Sequence, residues 1–314
     1  MTLHQPSLFP LDDASREPRK APLLLPTDSL AAALPHFDDY MAEREFALNT
    51  RASFGHDLKL FVDFMGAQTP LMACTRDRLQ AFLDWLRTRR GAPCSDRSLD
   101  RRITTLKVFF GWLVSKEVLA VDPAEPLAHL GTRSEPPRVL TDAQVEQVLT
   151  LTRQMRDAAE APDARPHLLV LLILDAALKK TECMNLALEH IDVSDPDHAS
   201  VKVVYTRPRQ RFKARQVAVS REWAETLPIY LRRYQPSQML FECTGRNLEY
   251  VLHTIATVAG LSFALTFDML RWTSATRSLR AGMEADRLRR RLGLSKIAWQ
   301  DTGPMLSKLV EGPL

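Results

Sequence analysis

Apolar side chains recur at helical spacing along the first part of the chain, from Ser29 onward. Steps of three and four residues place such side chains on one face of an α-helix. The runs with this spacing are Phe54, Leu58, Phe61, Val62 and Met65, then Leu79, Phe82, Leu83 and Leu86, then Leu99, Ile103, Leu106, Phe110 and Leu113. Proline and glycine separate the runs. We therefore predict a compact domain of four helices over residues 27–130, preceded by a disordered, proline-rich tail over residues 1–26.

Residues 131–139 are charged, contain prolines and lack an apolar face, which predicts a linker. Order resumes at Thr141, because Thr141 and Gln144 have the spacing of a capping box at a helix start. The stretch from Pro166 to Leu178 is apolar almost throughout, so we predict a helix that is buried on most sides. These features assign residues 140–314 to a second domain.

The pattern then changes to an alternation of apolar and polar side chains with a period of two. This alternation predicts strands from Val201 to Tyr205 and from Gln216 to Ser220, joined as a small antiparallel hairpin with a basic turn. Further helices are predicted at Arg221–Tyr234, Arg246–Ala259 and Thr266–Arg280, with shorter helices after Gly282. The predicted fold class is mainly α with a small antiparallel β-hairpin, in two domains.

The helix predicted at Thr266 has favourable residues at both ends. Thr266 suits the N-cap, and the Asp268 carboxylate suits the positive end of the helix dipole. Gly282 follows the helix, where glycine is favoured. Residues 268–296 contain eight Lys/Arg and three Asp/Glu, so this stretch is basic as well as helical. Arg271, one turn into the helix, is the candidate phosphate ligand of this stretch.

Composition narrows the class of protein. The net charge of +4 permits a polyanionic partner without requiring one. The four cysteines form no C-x-x-C pair, which favours reduced thiols over disulfides or a metal site. The longest apolar run, Leu168 to Leu174, is too short to cross a bilayer, and residues 1–26 lack the apolar core of a signal peptide. We expect a cytoplasmic protein with no membrane contact, metal or cofactor.

Cations are concentrated in three clusters. Six of them lie within the fourteen residues of the predicted hairpin, without an acidic neighbour: Lys202, Arg207, Arg209, Arg211, Lys213 and Arg215. The run after Gly282 is Arg287, Arg289, Arg290 and Arg291. The first-domain cluster is Arg87, Arg89, Arg90, Arg97, Arg101, Arg102 and Lys107. Each cluster by itself is compatible with a solvated surface. Their presence in both domains favours a clamp that closes on duplex DNA from two sides.

The order of elements and several local phrases resemble the tyrosine recombinases, the phage-integrase and Xer family. In the first domain the resemblance rests on the helix Asn49-Thr50-x-x-Ser53-Phe54 and on Leu106-Lys-Val-Phe-Phe-Gly-Trp-Leu113 followed by Asp122-Pro123. In the second it rests on Ala177-Leu178-Lys179-Lys180-Thr181-Glu182, the basic hairpin, Leu265-Thr-Phe-Asp-Met-Leu-Arg271-Trp-Thr and Leu292-Gly293-Leu294. The resemblance implies a helical core-binding domain followed by a domain of the catalytic type.

The family cleaves DNA through attack of a tyrosine on a phosphate, which two arginines neutralise while a lysine and histidines handle protons and hydrogen bonds. Glu182 matches the family pattern here. By the resemblance, two cations stand at family positions: Arg271 is the retained second arginine, and Lys213 is the candidate hairpin lysine. Lys179 takes the place of the first arginine. Asp268 and Leu294 each replace a histidine, and Gly303 takes the place of the tyrosine. No tyrosine follows Tyr250, and no histidine follows His253.

These positions also have structural interpretations. Asp268 lies three residues before Arg271, which permits a helix ion pair instead of a phosphate contact. Lys179 follows an apolar helix, whose C-terminal end favours cations. Hydroxyl groups that could replace the tyrosine, with Asp301 as a conceivable base, are those of Ser295, Thr302 and Ser307.

We predict a protein that clamps duplex DNA without cleaving it and is associated with the nucleoid. The predicted DNA contacts are Arg89, Arg90, Arg101, Arg102, Lys107, Lys179, Arg207, Arg209, Arg211, Lys213 and Arg271. One alternative is a recombinase subunit, active through a partner or a non-standard nucleophile, in a homo-oligomer or with a related active recombinase. Another is a scaffold for protein interactions whose basic faces are solvated.

Overall fold

A computed structural model describes residues 24–88, 91, 94–130 and 137–311, with Arg209 described by its main chain only. The chain divides into two compact units, Met1–Arg133 and Ser134–Leu314. The division falls within the stretch predicted to be a linker. Among the described residues, no helix is long and apolar enough to cross a membrane.

The first unit contains four α-helices among its described residues. Its helices are α1 (Leu30–Glu43), α2 (Leu48–Met65), α3 (Arg76–Thr88) and α4 (Asp96–Ser115). Side-chain caps fix two helix starts, because Ser29 accepts a hydrogen bond from the amide of Ala32 and Ser95 accepts one from the amide of Ser98. Aromatic side chains fill the core between the helices: Phe37, Phe61, Phe82, Phe109 and Phe110.

Order in the first unit begins earlier than the sequence indicates. Leu24 is buried in the first core, and the Met72 amide donates to the Pro26 carbonyl at 2.9 Å. Residues 24–26 are therefore part of the folded unit rather than of the predicted tail. The rest of that prediction falls on residues 1–23, outside the described residues.

A buried carboxylate joins helices α2 and α4. Asp57 lies 2.8 Å from Arg101 Nη2 and 3.4 Å from Arg102 Nε, and it accepts a hydrogen bond from the Thr105 hydroxyl at 3.1 Å. Arg102 is buried as well and donates to the Cys94 sulfur. Because a lone charge is costly in the interior, the carboxylate and the buried guanidinium require each other.

The second unit has the predicted mixture of helices and a small sheet. Its helices are α5 (Asp142–Arg156), α6 (Arg165–Ala176), α7 (Lys180–Met184), α8 (Arg221–Tyr234), α9 (Gly245–Val258), α10 (Phe267–Arg280), α11 (Ala285–Arg291) and α12 (Lys296–Glu311). Short 3-10 helices lie at Leu71–Ala73, Leu188–His190, Pro196–His198 and Pro208–Lys213, the first of them in the first unit.

The sheet is larger than the predicted hairpin. Within the described chain it has the antiparallel order β1 (Ile191–Asp192), β2 (Ser200–Val203) and β3 (Arg215–Ala218). Val201 pairs with Val217, so the alternation assigned the strands correctly, although their ends differ by one to two residues. The basic connection is a 3-10 helix, Pro208–Lys213, and not a tight turn.

Helix α6 forms the centre of the second core, and Leu168 to Ile173 are almost fully buried, as its apolar sequence predicts. The capping box is confirmed, because the Gln144 amide donates to Thr141 Oγ1 at 3.1 Å and the Thr141 amide donates to Gln144 Oε1 at 3.0 Å. Thr266 likewise caps α10, and Gly282 follows that helix with φ of +82°.

Replacing Asp57 with alanine is expected to destabilise the first unit by about 3–5 kcal/mol, because Arg102 would remain buried without its counter-charge. Urea unfolding followed by tryptophan fluorescence measures this loss through Trp85 and Trp112.

Asp63→Ala is the matched control, since Asp63 is an exposed carboxylate on the same helix. Its free energy of unfolding should change by less than about 0.5 kcal/mol. Equal effects of the two substitutions would contradict the assigned role of Asp57.

Candidate functional site

The Glu182 carboxylate connects three separate parts of the second unit. It accepts two hydrogen bonds from the Arg215 guanidinium, at 2.9 and 2.8 Å, and one from the Tyr205 hydroxyl at 2.6 Å. It also accepts the Lys179 amide at 2.9 Å, which fixes the start of α7. Arg215 in turn donates from Nε to the Arg291 carbonyl at 2.6 Å. The pair therefore ties α7 to β3 and to the end of α11.

This ion pair is shielded from water, with only 2% of the Glu182 side chain and 7% of the Arg215 side chain exposed. Burial alone would raise the pKa of Glu182, but the hydrogen bonds and the charge of Arg215 outweigh burial and hold that pKa below its usual value. Burial, and next the same carboxylate, raises the pKa of the Tyr205 hydroxyl. Glu182 is therefore ionised, and Tyr205 is neutral.

The Arg271 side chain binds the C-terminal ends of helices α6 and α11. Its Nε donates to the Ala177 carbonyl at 2.8 Å, and its Nη2 donates to the Leu292 carbonyl at 2.6 Å. Burial lowers the pKa of Arg271. Asp268 is exposed in the first turn of α10, and its charge opposes the lowering of the Arg271 pKa, although no close Asp268–Arg271 ion pair is present among the described residues.

Lys179 has a free ammonium group beside this arginine. The side chain is half-buried, and its Nζ has no hydrogen bond or ion pair within the part of the chain that the structure describes. Burial lowers the pKa of Lys179, and the charges of Arg271, Lys213 and Arg215 lower it further, while Glu182 opposes the shift. Four cations thus converge around one carboxylate. Such a site gains stability from an added anion.

The β2–β3 connection places a further ammonium group at the edge of this cluster. Lys213 Nζ lies 5.6 Å from the ring centroids of both Tyr205 and Phe212. Arg207 and Arg211 are exposed in the same connection. Arg209, predicted with them, has no described side chain.

An apolar cavity of about 40 Å³ also borders Arg271. Its lining residues are Arg271, Trp272, Ala275, Leu292, Leu294 and Thr302. Gly303 is buried next to it, and a Cβ atom at Gly303 would lie 3.0 Å from the Trp299 indole nitrogen. The indole thus covers the place where a longer side chain would project. Its described lining residues include no carboxylate and no imidazole.

The predicted first-unit contacts are mostly engaged within the unit. Arg102 is buried against Asp57, Arg101 pairs with the same carboxylate, and Lys107 Nζ donates to the Glu125 carbonyl at 2.8 Å. Arg102 has a structural role in this arrangement, since a buried guanidinium cannot reach an external phosphate. Arg89 and Arg90 lie outside the described residues.

The sequence interpretation missed the roles of Arg215 and Arg291. Both had been counted among the basic clusters, yet both are directed inward. Arg291 donates to the Asp175 carbonyl and to the Ser274 and Ser278 hydroxyls. Nothing in the local sequence distinguishes them from their neighbours. For Arg102 a signal existed, because Asp57 lies on the apolar face of α2.

These features define a two-domain, integrase-type fold with a cation cluster in its second domain. Residues 34–117 match the phage integrase N-terminal SAM-like domain, and residues 138–299 match the phage integrase family. The chain belongs to the phage integrase family, whose members include the tyrosine recombinases.

The chain is similar to curated proteins named tyrosine recombinase XerC. It is 27% identical over 289 residues to that of Mycobacterium tuberculosis, covering 86% of this chain and 92% of the relative. It is also 26% identical over 285 residues to the XerC of Roseiflexus sp. (strain RS-1), and this match covers 86% of this chain and 87% of the relative.

Solved structures share the fold. An XerH site-specific recombinase bound to a palindromic difH substrate has a TM-score of 0.68 at 15% identity, covering 90% of this chain and 82% of that one. A lambda integrase dimer bound to a COC′ core site has a TM-score of 0.66 at 15% identity, covering 87% and 76%.

Glu182→Gln is expected to destabilise the second unit by about 3–5 kcal/mol at pH 7, because Arg215 would remain buried without a counter-charge. The folded-state pKa of Glu182 is depressed, so its contribution is present above the unfolded value of about 4.3 and is lost as pH falls through the folded value. The difference in free energy of unfolding between wild type and variant should therefore shrink toward acid pH. Urea titrations at pH 7, 5, 4 and 3 measure this difference.

Glu249→Gln is the control, since Glu249 forms an exposed ion pair with Lys180. Exposed pairs contribute little, so this variant should unfold like the wild type at each pH. A constant deficit of Glu182→Gln at every pH would contradict the assignment of an ionised Glu182.

Proposed function

We propose that this chain is a DNA-binding member of the phage integrase family that holds duplex DNA without cleaving it. The observation that carries the proposal is the contrast around Arg271. Arg271 belongs to an unneutralised cluster of cations and also lines an apolar cavity beside Gly303, whose described lining residues include no proton-transfer group.

The binding half of the proposal rests on free positive charge. Within the described part of the chain, the Lys179 ammonium group has no hydrogen bond or ion pair, and Arg271 donates one hydrogen bond from Nε and one from Nη2. Arg207 and Arg211 extend the positive surface along the β2–β3 connection. Fixed guanidinium and ammonium groups attract backbone phosphates and release counterions on contact. The XerH and lambda integrase structures, which share the fold, are bound to DNA.

The absence of cleavage rests on the missing nucleophile and base. Phosphate attack requires a hydroxyl in reach of the phosphate and a group that takes its proton. Gly303 has no side chain that could attack, and the aliphatic side chain of Leu294 has no acidic or basic group for proton transfer. Thr302 does line the cavity, but the residues around that cavity supply no base to activate it. Lys179, in the place of an arginine, carries charge without the bidentate fork.

A second candidate function is that of a silent subunit beside an active recombinase. It is favoured by the lambda integrase structures, which share this fold and include a dimer on a core site and a tetramer on a Holliday junction. In such an assembly this chain would hold one DNA arm while a partner performs the cleavage.

The first test is the salt dependence of duplex binding. Fluorescence anisotropy with a labelled duplex of mixed sequence should show an affinity that falls about a thousandfold or more between 50 and 200 mM salt, if at least six phosphates are contacted. Arg207→Glu/Arg211→Glu should reduce the slope of log affinity against log salt by about two, because each phosphate contact contributes about one.

Arg221→Glu/Arg232→Glu is the charge-matched control, since both arginines are exposed on α8 outside the cluster. This control variant should bind the duplex more tightly than Arg207→Glu/Arg211→Glu does. Equal affinity of the wild type and Arg207→Glu/Arg211→Glu for the duplex would instead favour a protein scaffold with solvated basic faces.

The second test concerns cleavage. Nicked suicide duplexes, which trap covalent intermediates, should give no protein–DNA adduct with the wild type or with Gly303→Tyr. A tyrosine at this position would meet the Trp299 indole, and the cavity would still lack a proton-transfer group. Denaturing gels of the labelled duplex measure adduct formation.

A family member that cleaves DNA is the positive control, because it shows that the nicked duplex can trap a covalent adduct. An adduct with the wild type would overturn the proposal of lost cleavage. An adduct only after addition of a second recombinase, and located on that recombinase, would favour the silent-subunit function.

A further inference from the structure

A second basic site lies in the second unit, in a cavity of about 500 Å³ between β3, the end of α6, α10 and α11. Four arginines line it, namely Arg215, Arg287, Arg290 and Arg291. None of the residues proposed above to contact DNA is among its lining residues. The volume is within the range of small-molecule sites, about 300–1,000 Å³.

Two of these arginines supply fixed positive charge. Arg215 is held by Glu182, and Arg291 is held by the Asp175 carbonyl and the Ser274 hydroxyl. Burial lowers the pKa of Arg291; the Asp175 carboxylate opposes this shift, and the charges of Arg215 and Arg287 add to it. The guanidinium groups of the cavity are thus close enough to repel one another.

The other two arginines are available to a ligand. Arg287 is exposed and has no hydrogen bond or ion pair among the described residues. Arg290 is 65% exposed and meets only Asp286, at 3.3 Å, in a surface pair of the kind that contributes little. They lie three residues apart on α11, so they project to neighbouring positions on the helix surface.

Only one carboxylate, that of Asp175, lies among the described residues that line the cavity. Burial raises the pKa of Asp175, and its carboxylate already accepts the Ser220 amide at 2.8 Å. Glu182 already neutralises Arg215, and the exposed Asp286 pairs with Arg290, so Asp175 alone faces Arg287 and Arg291 and a surplus of positive charge remains. Val217 and Met283 add an apolar wall beside the arginines.

We propose that this cavity binds a phosphorylated small molecule with an aromatic ring, of the nucleoside-phosphate class. Arg287 and Arg290 would grip the phosphates, because the guanidinium fork matches two phosphate oxygens. Val217 and Met283 would cover the ring. The site shares only Arg215, which Glu182 neutralises, with the cation cluster around Lys179 and Arg271, and its proposed ligand binding does not depend on DNA binding.

Isothermal titration calorimetry of the full chain with ATP, in EDTA and without DNA, tests the proposal. The wild type is expected to bind ATP, and Arg287→Gln/Arg290→Gln should bind it at least about tenfold more weakly, because two charge-assisted contacts are removed. Pyrophosphate should bind more weakly than ATP, and adenosine should show no binding at the same concentrations.

Arg76→Gln/Arg78→Gln is the matched control, which removes the same charge from exposed positions on α3 and should retain ATP affinity. The single variant Arg287→Gln keeps the test valid if the double variant folds poorly, as judged by circular dichroism. Undiminished ATP binding by Arg287→Gln/Arg290→Gln would overturn the proposal, as would a wild type that binds no ATP.

Two further arms distinguish the source and shape of the ligand. Duplex DNA could displace ATP from the wild type, and Arg287→Gln/Arg290→Gln could weaken DNA binding by the same factor as it weakens ATP binding. In that case the cavity belongs to the DNA surface, and the small-molecule proposal fails. If pyrophosphate binds as tightly as ATP, the proposed apolar contact with the ring fails. ATP retained in the presence of saturating DNA supports a separate site.

Discussion

The buried contact between Glu182 and Arg215 is the interaction on which the geometry of the second unit depends. Helix α7 spans only Lys180–Met184, too short to be stable by its own hydrogen bonds. Glu182 fixes the start of that helix through the Lys179 amide and fixes β3 through Arg215. Arg215 then reaches the end of α11 through the Arg291 carbonyl. Residues far apart in sequence are brought together by this one ion pair.

The same pair explains why the neighbouring cations remain unneutralised. One carboxylate can saturate one guanidinium bidentately, and Arg215 takes that place with both Nη atoms. Among the described residues, Lys179, Lys213 and Arg271 form no ion pair; Lys179 and Arg271 are attracted by Glu182 at longer range, and Arg271 also by Asp268. Because a charge in a partly buried site is weakly screened, the three cations raise the local affinity for any anion.

Sequence patterns predicted the helices and their ends well, because those features arise from local interactions. The Thr141–Gln144 box and the Thr266 cap involve residues three apart in the chain. The two-residue strand β1 was missed, since so short an alternation has no recognisable period.

The candidate site was less predictable, because the roles of its cations depend on distant partners. Arg215 and Arg211 look alike in the sequence, yet Arg215 is bound to a carboxylate 33 positions earlier while Arg211 is exposed. A count of cations therefore overestimates the charge available to a ligand. The apolar face of α2 shows the opposite case, since the lone Asp57 among aromatic and aliphatic positions indicates a buried counter-ion.

Binding of a phosphate and cleavage at a phosphate make separable physical demands, and on the proposed function the site around Arg271 meets only the first. Binding needs fixed positive charge in a poorly screened environment, which Lys179 and Arg271 provide. Cleavage also needs a nucleophile and proton transfer at fixed distances. Leu294 and the indole over Gly303 fill that space with apolar groups, which lower the local dielectric constant and so strengthen the attraction for an anion. On the proposed function, the replacements that remove the chemistry leave the grip on the phosphate intact.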